Sequence, residues 1–414
     1  MKNNNYIKRC RQTVTMAAAA LLLLTATSCR RDLWVYQDNF KQVELDIDWR
    51  SYFREWPLNP NAQPADDPDG MTVWFFPKDG RKSFTYTSSE VRHFETYLSK
   101  GDYDGLVIDY SPMEYGRQEF IGMDYASTAK VQSLPNSYQP ENTPELYGDE
   151  AYGRTLPTKL ANGLYQLAAE PELIASDTVQ MTVNTGDYDK YIPYKERDKY
   201  QSTLVKQLYE MEPVLIPWNF RVRIYIKGIY YLYSAEATIA GLADGYKLVD
   251  CKSSDTPCLM KLDDWELHIA PNTNDYEAVG GLGYIAKTFR TWGPMNFENH
   301  NWSIHEPQRP VTNRVLEGGI PLDAFSYEQL SSRDANEIRV NIKCLLRDRT
   351  TVKYFHFDVA NLTYVFRNEY AMRIDLMEDR DDIPTLPFVE AANGMEFDGV
   401  VVPWVDKEDA NVVM

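Results

Sequence analysis

Few residues in this chain have the types and spacing to do chemistry. Gly280–Ala286 reads GGLGYIA, which contains the G-x-G-x-x-A spacing of a dinucleotide-binding turn. Such a turn works when a strand runs directly into the first glycine and a helix N-terminus receives the pyrophosphate. Here the nearest strand-like stretch, WELHIA, is separated from the glycines by Pro271, Asn272 and Asn274. The following segment His305–Val311 carries two prolines and offers no second parallel strand. A glycine-rich loop is the better reading. Of the histidines His93, His268, His300, His305 and His356, only His300 and His305 are close in sequence, and their spacing is not that of a helical zinc pair. Asp66, Asp67 and Asp69, and again Asp379, Asp381 and Asp382, could offer hard oxygens to calcium. Neither run has the EF-hand spacing, and solvated acidic loops are expected. No G-x-S-x-G elbow, H-E-x-x-H pair or phosphate-binding Walker loop is present. The sequence therefore gives no support to an enzyme, and no cofactor or metal is expected.

The remaining chemistry is a thiol. Residues 1–28 have the three-part form of an export signal. Lys2, Lys8, Arg9 and Arg11 give a basic start, Met16–Leu24 (MAAAALLLL) an apolar run, and Ala26, Thr27 and Ser28 lead to Cys29. An apolar run of this length spans about 14 Å as a helix, against a hydrocarbon core of about 30 Å, and is too short for a stable span. Ala26-Thr27-Ser28-Cys29 resembles a bacterial lipobox, in which the thiol takes a diacylglyceryl group and becomes the new N-terminus. Cys29 is thus the expected lipidation site, with residues 29–40 as a tether. The alternative is an ordinary export signal followed by an incidental cysteine.

The formal charge of −18 over 414 residues becomes more negative once the basic leader is removed. Such a chain gains nothing from counterion release on nucleic acid, and anionic membrane surfaces repel it. It needs a covalent lipid to stay at a membrane. Cys251 and Cys258 could close a disulfide across CKSSDTPC. Cys344, in RVNIKCLL, lies on the apolar face with Val340 and Ile342 as a small buried hydrophobe.

The elements that must carry these residues read as strands. VELDIDWR (43–50), GMTVWFFPKDG (70–80), SDTVQMTV (176–183), NFRVRIYIKG (219–228), RVNIKCLL (339–346) and KYFHFDVANL (353–362) show alternation or short apolar runs bounded by turn residues. Thr87-Ser88-Ser89-Glu90 has the form of a capping box, and Val91, Phe94 and Leu98 would share one face of a short helix stopped at Gly101. Residues 112–176 read as loops with short strands, and the charged, Tyr-rich stretch 186–212 as a linker. Two rounds of short strands with few helices imply an all-β chain of two antiparallel β-sandwiches, at 41–185 and 213–414 with its tail. Nine Trp and 29 Tyr fit core and cross-strand packing, with exposed platforms for sugar rings as the sharper alternative.

A cysteine-terminated leader, then ELDIDW, GMTVWFFPKDG, GDYDGLVIDY, NFRVRIYIKGI and SAEATIAGLADGYKL together resemble the fimbrillin-type pilus anchor and accessory lipoproteins of Gram-negative gut and oral anaerobes. The resemblance implies two tandem transthyretin-like β-sandwiches with a few short helices. It also implies an N-terminal lipid in the outer membrane and a cell-adhesion role as a fimbrial anchor or accessory subunit. The implied partner is a pilin or other fimbrial subunit, bound by adding a strand to an open sheet edge. A surface glycan-binding lipoprotein is the alternative. Residues 112–215 match this pattern poorly.

Overall fold

The computed structural model describes residues 40–49, 67–152, 159–184, 207–269, 281–295, 338–359, 384–390 and 392. It adds backbone strands at 34–35, 192–193, 328–329, 363–366, 371–376 and 400–403. The first half supplies β1 (Phe40–Ile47), β2 (Met71–Pro77), β3 (Phe84–Ser88), β4 (His93–Ser99), β5 (Gly101–Asp109), β6 (Gln118–Ile121), β7 (Lys130–Ser133) and β8 (Ala175–Val183). Then come β9 (Gln207–Met211), β10 (Trp218–Lys227), β11 (Leu232–Ala243), β12 (Gly245–Lys247), β13 (Pro257–Leu262), β14 (Glu266–Ile269) and β15 (Leu282–Thr291). β16 (Arg339–Leu346), β17 (Val352–Asp358), β18 (Thr363–Phe366), β19 (Ala371–Leu376) and β20 (Val400–Pro403) follow. One turn of α-helix, α1, spans Pro144–Tyr147. The chain is an all-β sandwich protein, as the alternation predicts.

Two compact units divide the chain: Met1–Glu44, Glu95–Gly101 and Thr182–Tyr209 in one, Leu45–Phe94, Asp102–Met181 and Glu210–Met414 in the other. In the smaller, Trp34–Val35 pairs antiparallel with Ile192–Pro193. Portions of β9, β1 and β4 run there as a three-stranded sheet in that order, and Gln42 Nε2 donates to Glu95 Oε2 at 2.7 Å.

In the larger unit, β10 is the spine of a seven-stranded sheet ordered Glu328–Gln329, β18, β19, β10, β15, β14, β20. β10 pairs antiparallel with β15 from Trp218↔Thr291 to Lys227↔Leu282. Two pairs in this sheet, β10 with β19 and β14 with β20, are parallel. Trp218, Phe220, Val222, Ile224 and Ile226 turn to one face of β10, as period-2 geometry requires. They pack on Ile239 and Leu242 of β11, Met260 of β13 and Val340, Ile342 and Cys344 of β16. The latter strands belong to an antiparallel four-stranded sheet, β13-β11-β16-β17. The outer face of this second sheet is covered by residues of the first half. Thr238 Oγ1 donates to Leu146 O at 2.9 Å, Asn341 Nδ2 donates to Ala151 O at 2.9 Å, and the Tyr147 hydroxyl bonds to Glu236.

A five-stranded sheet runs Val214–Leu215, β8, β5, β2, β3, and a further four-stranded one runs Lys252–Ser253, β12, β7, β6. Between them Trp74, Phe76, Leu106, Ile108, Val131, Tyr246, Leu248 and Trp292 form one buried cluster. β7 and β12 come from opposite halves of the sequence and pair antiparallel, Gly245↔Gln132 through Lys247↔Lys130. Lys130 and Asp244 close the junction with a half-buried ion pair of 2.7 Å.

Two expectations need correction. The stretch after Glu90 is strand β4, not a helix; the residues turned inward are Phe94, Thr96 and Leu98. A spacing of four satisfies both periods at Phe94 and Leu98, and burial of Thr96 between them decides for the strand. The Ser88 hydroxyl does accept the Glu90 N–H at 3.0 Å, but as a local turn. Second, GGLGYIA is no loop beyond Gly281, because Leu282 opens β15. Gly283 is required by contact: a Cβ there would sit 2.4 Å from His268 O. The question left open between Cys251 and Cys258 is answered too: both are free thiols, as is Cys344. Burial pushes the Cys344 thiol up to about 12 and raises that of Cys258 as well. Cys251, half-buried, is also raised, again chiefly by burial. A thiol reagent is therefore expected to modify Cys251 slowly in the folded protein, and Cys258 and Cys344 only after unfolding in guanidinium. Rapid modification of all three under native conditions would contradict this packing.

Candidate interaction edge

Sequence and packing together make β3 an edge. β2, MTVWFFP, is buried along its whole length, so it must be flanked and covered on both faces. β5 pairs on one side, Met71↔Asp109 through Pro77↔Tyr103, and β3 on the other, Met71↔Ser88 through Phe75↔Phe84. The connecting turn is Pro77-Lys78-Asp79-Gly80, with Gly80 at a φ of 89° that favours glycine. Asp79 accepts the Arg81 N–H at 3.1 Å and its guanidinium at 2.7 Å. These bonds, the backbone one foremost, hold the Asp79 carboxyl below its usual range.

β3 has no strand beyond it among the described residues. Alternate residues of an antiparallel edge turn their N–H and C=O outward. The start of this edge is closed by a turn: Ser83 N donates to Asp124 O at 2.8 Å, and Lys82 pairs with Asp124 at 2.7 Å. Thr85, Tyr86 and Thr87 remain exposed. One face of the edge is aromatic. Phe75, fully buried, lies 5.5 Å from Phe84, 6.2 Å from Tyr86 and 6.3 Å from Phe94 by ring centroids. Tyr86, 5.6 Å from Phe94, is the rim of this cluster and is 41% exposed. An added strand beside β3 would lay alternate side chains against Phe84 and Tyr86 while satisfying the free backbone groups.

The other residues singled out in the sequence separate widely. Cys29, the tether 29–40 apart from the Trp34–Val35 strand and the start of β1, Asp66, His300, His305, Asp379, Asp381 and Asp382 lie outside the described residues, as does most of 186–212. Asp67 forms an ion pair with Arg92. His93 Nδ1 meets Asp46 Oδ1 at 2.7 Å, and His356 Nδ1 meets Asn341 Oδ1 at 2.8 Å. His268 stacks on Tyr284 at 4.3 Å, with Glu266 at 3.5 Å from its Nε2. Those contacts, with those of Arg221, lower the Glu266 carboxyl against the opposing effect of burial. Trp49, Trp74, Trp218, Trp265 and Trp292 are all buried, so tryptophan platforms for sugar are not found among the described residues. The exposed rings are Tyr86, Tyr97, Tyr125 and Phe388, which residue counts could not distinguish from core. No described helix is long and apolar enough to cross a membrane.

The family described as a domain of unknown function, DUF5119, matches residues 28–263, more than half of the chain. The chain belongs to the DUF5119 family. The DUF5119 match contains β3, the aromatic cluster and both strands of the β7–β12 pair. No curated protein matches the chain. Among solved structures, it is similar to a candidate adhesin from Bacteroides ovatus, with 13% identity and a TM-score of 0.44 over 88% of this chain and 93% of that one. It is also similar to the fimbrial anchor protein Mfa2 from Porphyromonas gingivalis, with 10% identity and a TM-score of 0.37 over 78% and 83%. Neither likeness is close enough to transfer a fold or a function.

Proposed function

We propose that this DUF5119 protein is an outer-membrane lipoprotein, acylated on Cys29, that serves as a fimbrial anchor or accessory subunit. It would comprise two transthyretin-like sandwiches, at 41–185 and 213–414, joined by the 186–212 linker. A pilin segment would be held by strand addition. The observation that carries this reading is the β3 edge, where exposed backbone adjoins the Phe75–Phe84–Tyr86–Phe94 cluster. The leader 1–28 directs export and is removed, and the lipid on Cys29 supplies the anchor. The reading needs no catalytic residue.

Two substitutions test it. Cys29→Ala is expected to abolish metabolic labelling with an alkynyl fatty acid and to move the protein from the membrane fraction to the soluble one. Thr85→Lys/Thr87→Lys is expected to leave the melting temperature unchanged, because both side chains are exposed. It should abolish co-purification of pilin, because lysines on an edge block pairing. Persistent labelling of the Cys29 variant, or full pilin capture by the double variant, would defeat the proposal.

A second reading, a surface glycan-binding lipoprotein, is favoured by one observation. Phe388 is 72% exposed, with the Tyr231 ring edge to face against it.

A further inference from the structure

Three departures from ordinary local preference meet at one end of the sandwich formed by the seven-stranded and β13-β11-β16-β17 sheets. At the start of β11, the register against β16 shifts between Leu232 and Ser234. Tyr233 is the extra residue, and a bulge of this kind re-aims a side chain. In the turn between β16 and β17, Arg349 has a φ of 57°, a conformation that glycine or asparagine adopts more readily. Phe388 is exposed although its neighbours are anchored. Leu386 is 3% exposed in the core, its N–H donates to Lys227 O at 2.8 Å, and Val389 packs against the same core.

Tyr231 and Arg347 link these residues at this end. The Arg349 guanidinium lies 4.9 Å from the centre of the Tyr233 ring and donates to the Tyr233 hydroxyl at 3.3 Å. Arg347 lies 5.9 Å over Tyr230, and its N–H donates to Tyr231 O at 2.8 Å. Tyr231 meets Phe388 edge to face at 5.4 Å. The cost of a left-handed arginine is the sort of local conflict that marks a working site.

We infer that this end is a saccharide-binding site, with Phe388 as the stacking platform and Arg349 and the Tyr233 hydroxyl as donors and acceptors to sugar hydroxyls. The inference rests on the glycan-binding reading and names its site. A pyranose has one face of C–H groups and a rim of hydroxyls, which matches one exposed ring bordered by a guanidinium fork and phenols. A protein partner would need about 800 Å² per side with an apolar centre. At this end, Phe388 is the one exposed large hydrophobic among the described residues. A bilayer is disfavoured by the same small apolar area and by the net charge of −18.

The test is affinity gel electrophoresis of the full-length chain in gels containing starch, yeast mannan or polygalacturonate, followed by titration with the polysaccharide that retards it most. Phe388→Ala and Arg349→Gly are each expected to weaken binding at least tenfold. Phe388→Ala should leave the melting temperature unchanged. Arg349→Gly should leave it unchanged or raise it, because glycine relieves the left-handed φ. Arg349→Lys should also bind weakly, since it keeps the charge but loses the planar fork. If the wild-type chain is retarded and both first variants bind as well as it does, the site is wrong while the glycan-binding reading stands. If no polysaccharide retards the wild-type chain, both fall.

Discussion

Trp292→Ala is expected to lower the free energy of unfolding by about 3–5 kcal/mol, the range for removing a buried tryptophan from a packed core. Trp292 is 1% exposed and belongs to the cluster that joins the five-stranded sheet to the β6–β7–β12 sheet. Its neighbours come from β2, β5, β7 and the segment after β12, so no single element can close over the cavity. The indole N–H donates to Ser133 Oγ at 2.9 Å, and the variant leaves that half-buried hydroxyl without this partner. Trp292→Phe keeps much of the volume and should fall well short of that loss. Urea denaturation followed by far-ultraviolet circular dichroism measures both. A loss below about 1 kcal/mol for the alanine variant would mean that the cluster does not pack in solution as described.

Gly245→Val is the second large effect. A Cβ at Gly245 would stand 2.3 Å from Val131 O, 2.6 Å from Lys130 Cε and 2.9 Å from Gln132 Cα. Two of those atoms are backbone, so the strand itself must move. The expected loss is about 1–3 kcal/mol for overpacking, with more added if the β7–β12 ladder separates. Gly245→Ala, which already introduces the Cβ, should show most of the effect. Both Gly245 and Trp292 act through β7, so the double variant should lose less than the sum of the singles, with a coupling of about 0.5–3 kcal/mol. Strict additivity would show that the two positions do not share β7 as a common support.

Much of the β architecture was legible because alternation is a local property. NFRVRIYIK announces β10, with its inward Phe220, Val222, Ile224 and Ile226, and RVNIKCLL followed by KYFHFDV announces the β16–β17 hairpin. The misread helix at β4 arose because Phe94 and Leu98, four apart, fit both periods. Partner choice was not legible. Nothing local in Lys130–Ser133 indicates pairing with Gly245–Lys247, nor that β10 takes a parallel neighbour in β19. Those choices are set by which buried faces match after the sheets assemble. The β3 edge was half legible: Ser83–Thr87 (SFTYT) has the composition of a strand, but an edge is defined by an absent neighbour. Arg349 was hidden for a different reason. A left-handed arginine violates the turn preference through which the sequence would have announced it.

The β7–β12 junction also bears on how the chain reaches its folded state. The ion pair between Lys130 and Asp244 spans 114 residues of sequence, the Trp292–Ser133 bond 159, and the Asn341–Ala151 bond 190. Contacts this distant form late, because loop-closure entropy must be met before they contribute, and chains rich in them fold slowly. As the polypeptide emerges in order, the first half waits with β7 and the Leu146–Ala151 segment uncovered until the second half arrives. For that interval the nascent protein exposes apolar surface and unpaired strand, the species most prone to aggregate. Chaperone dependence and refolding yield should therefore depend on how quickly residues beyond 340 become available, more than on the final stability of either half.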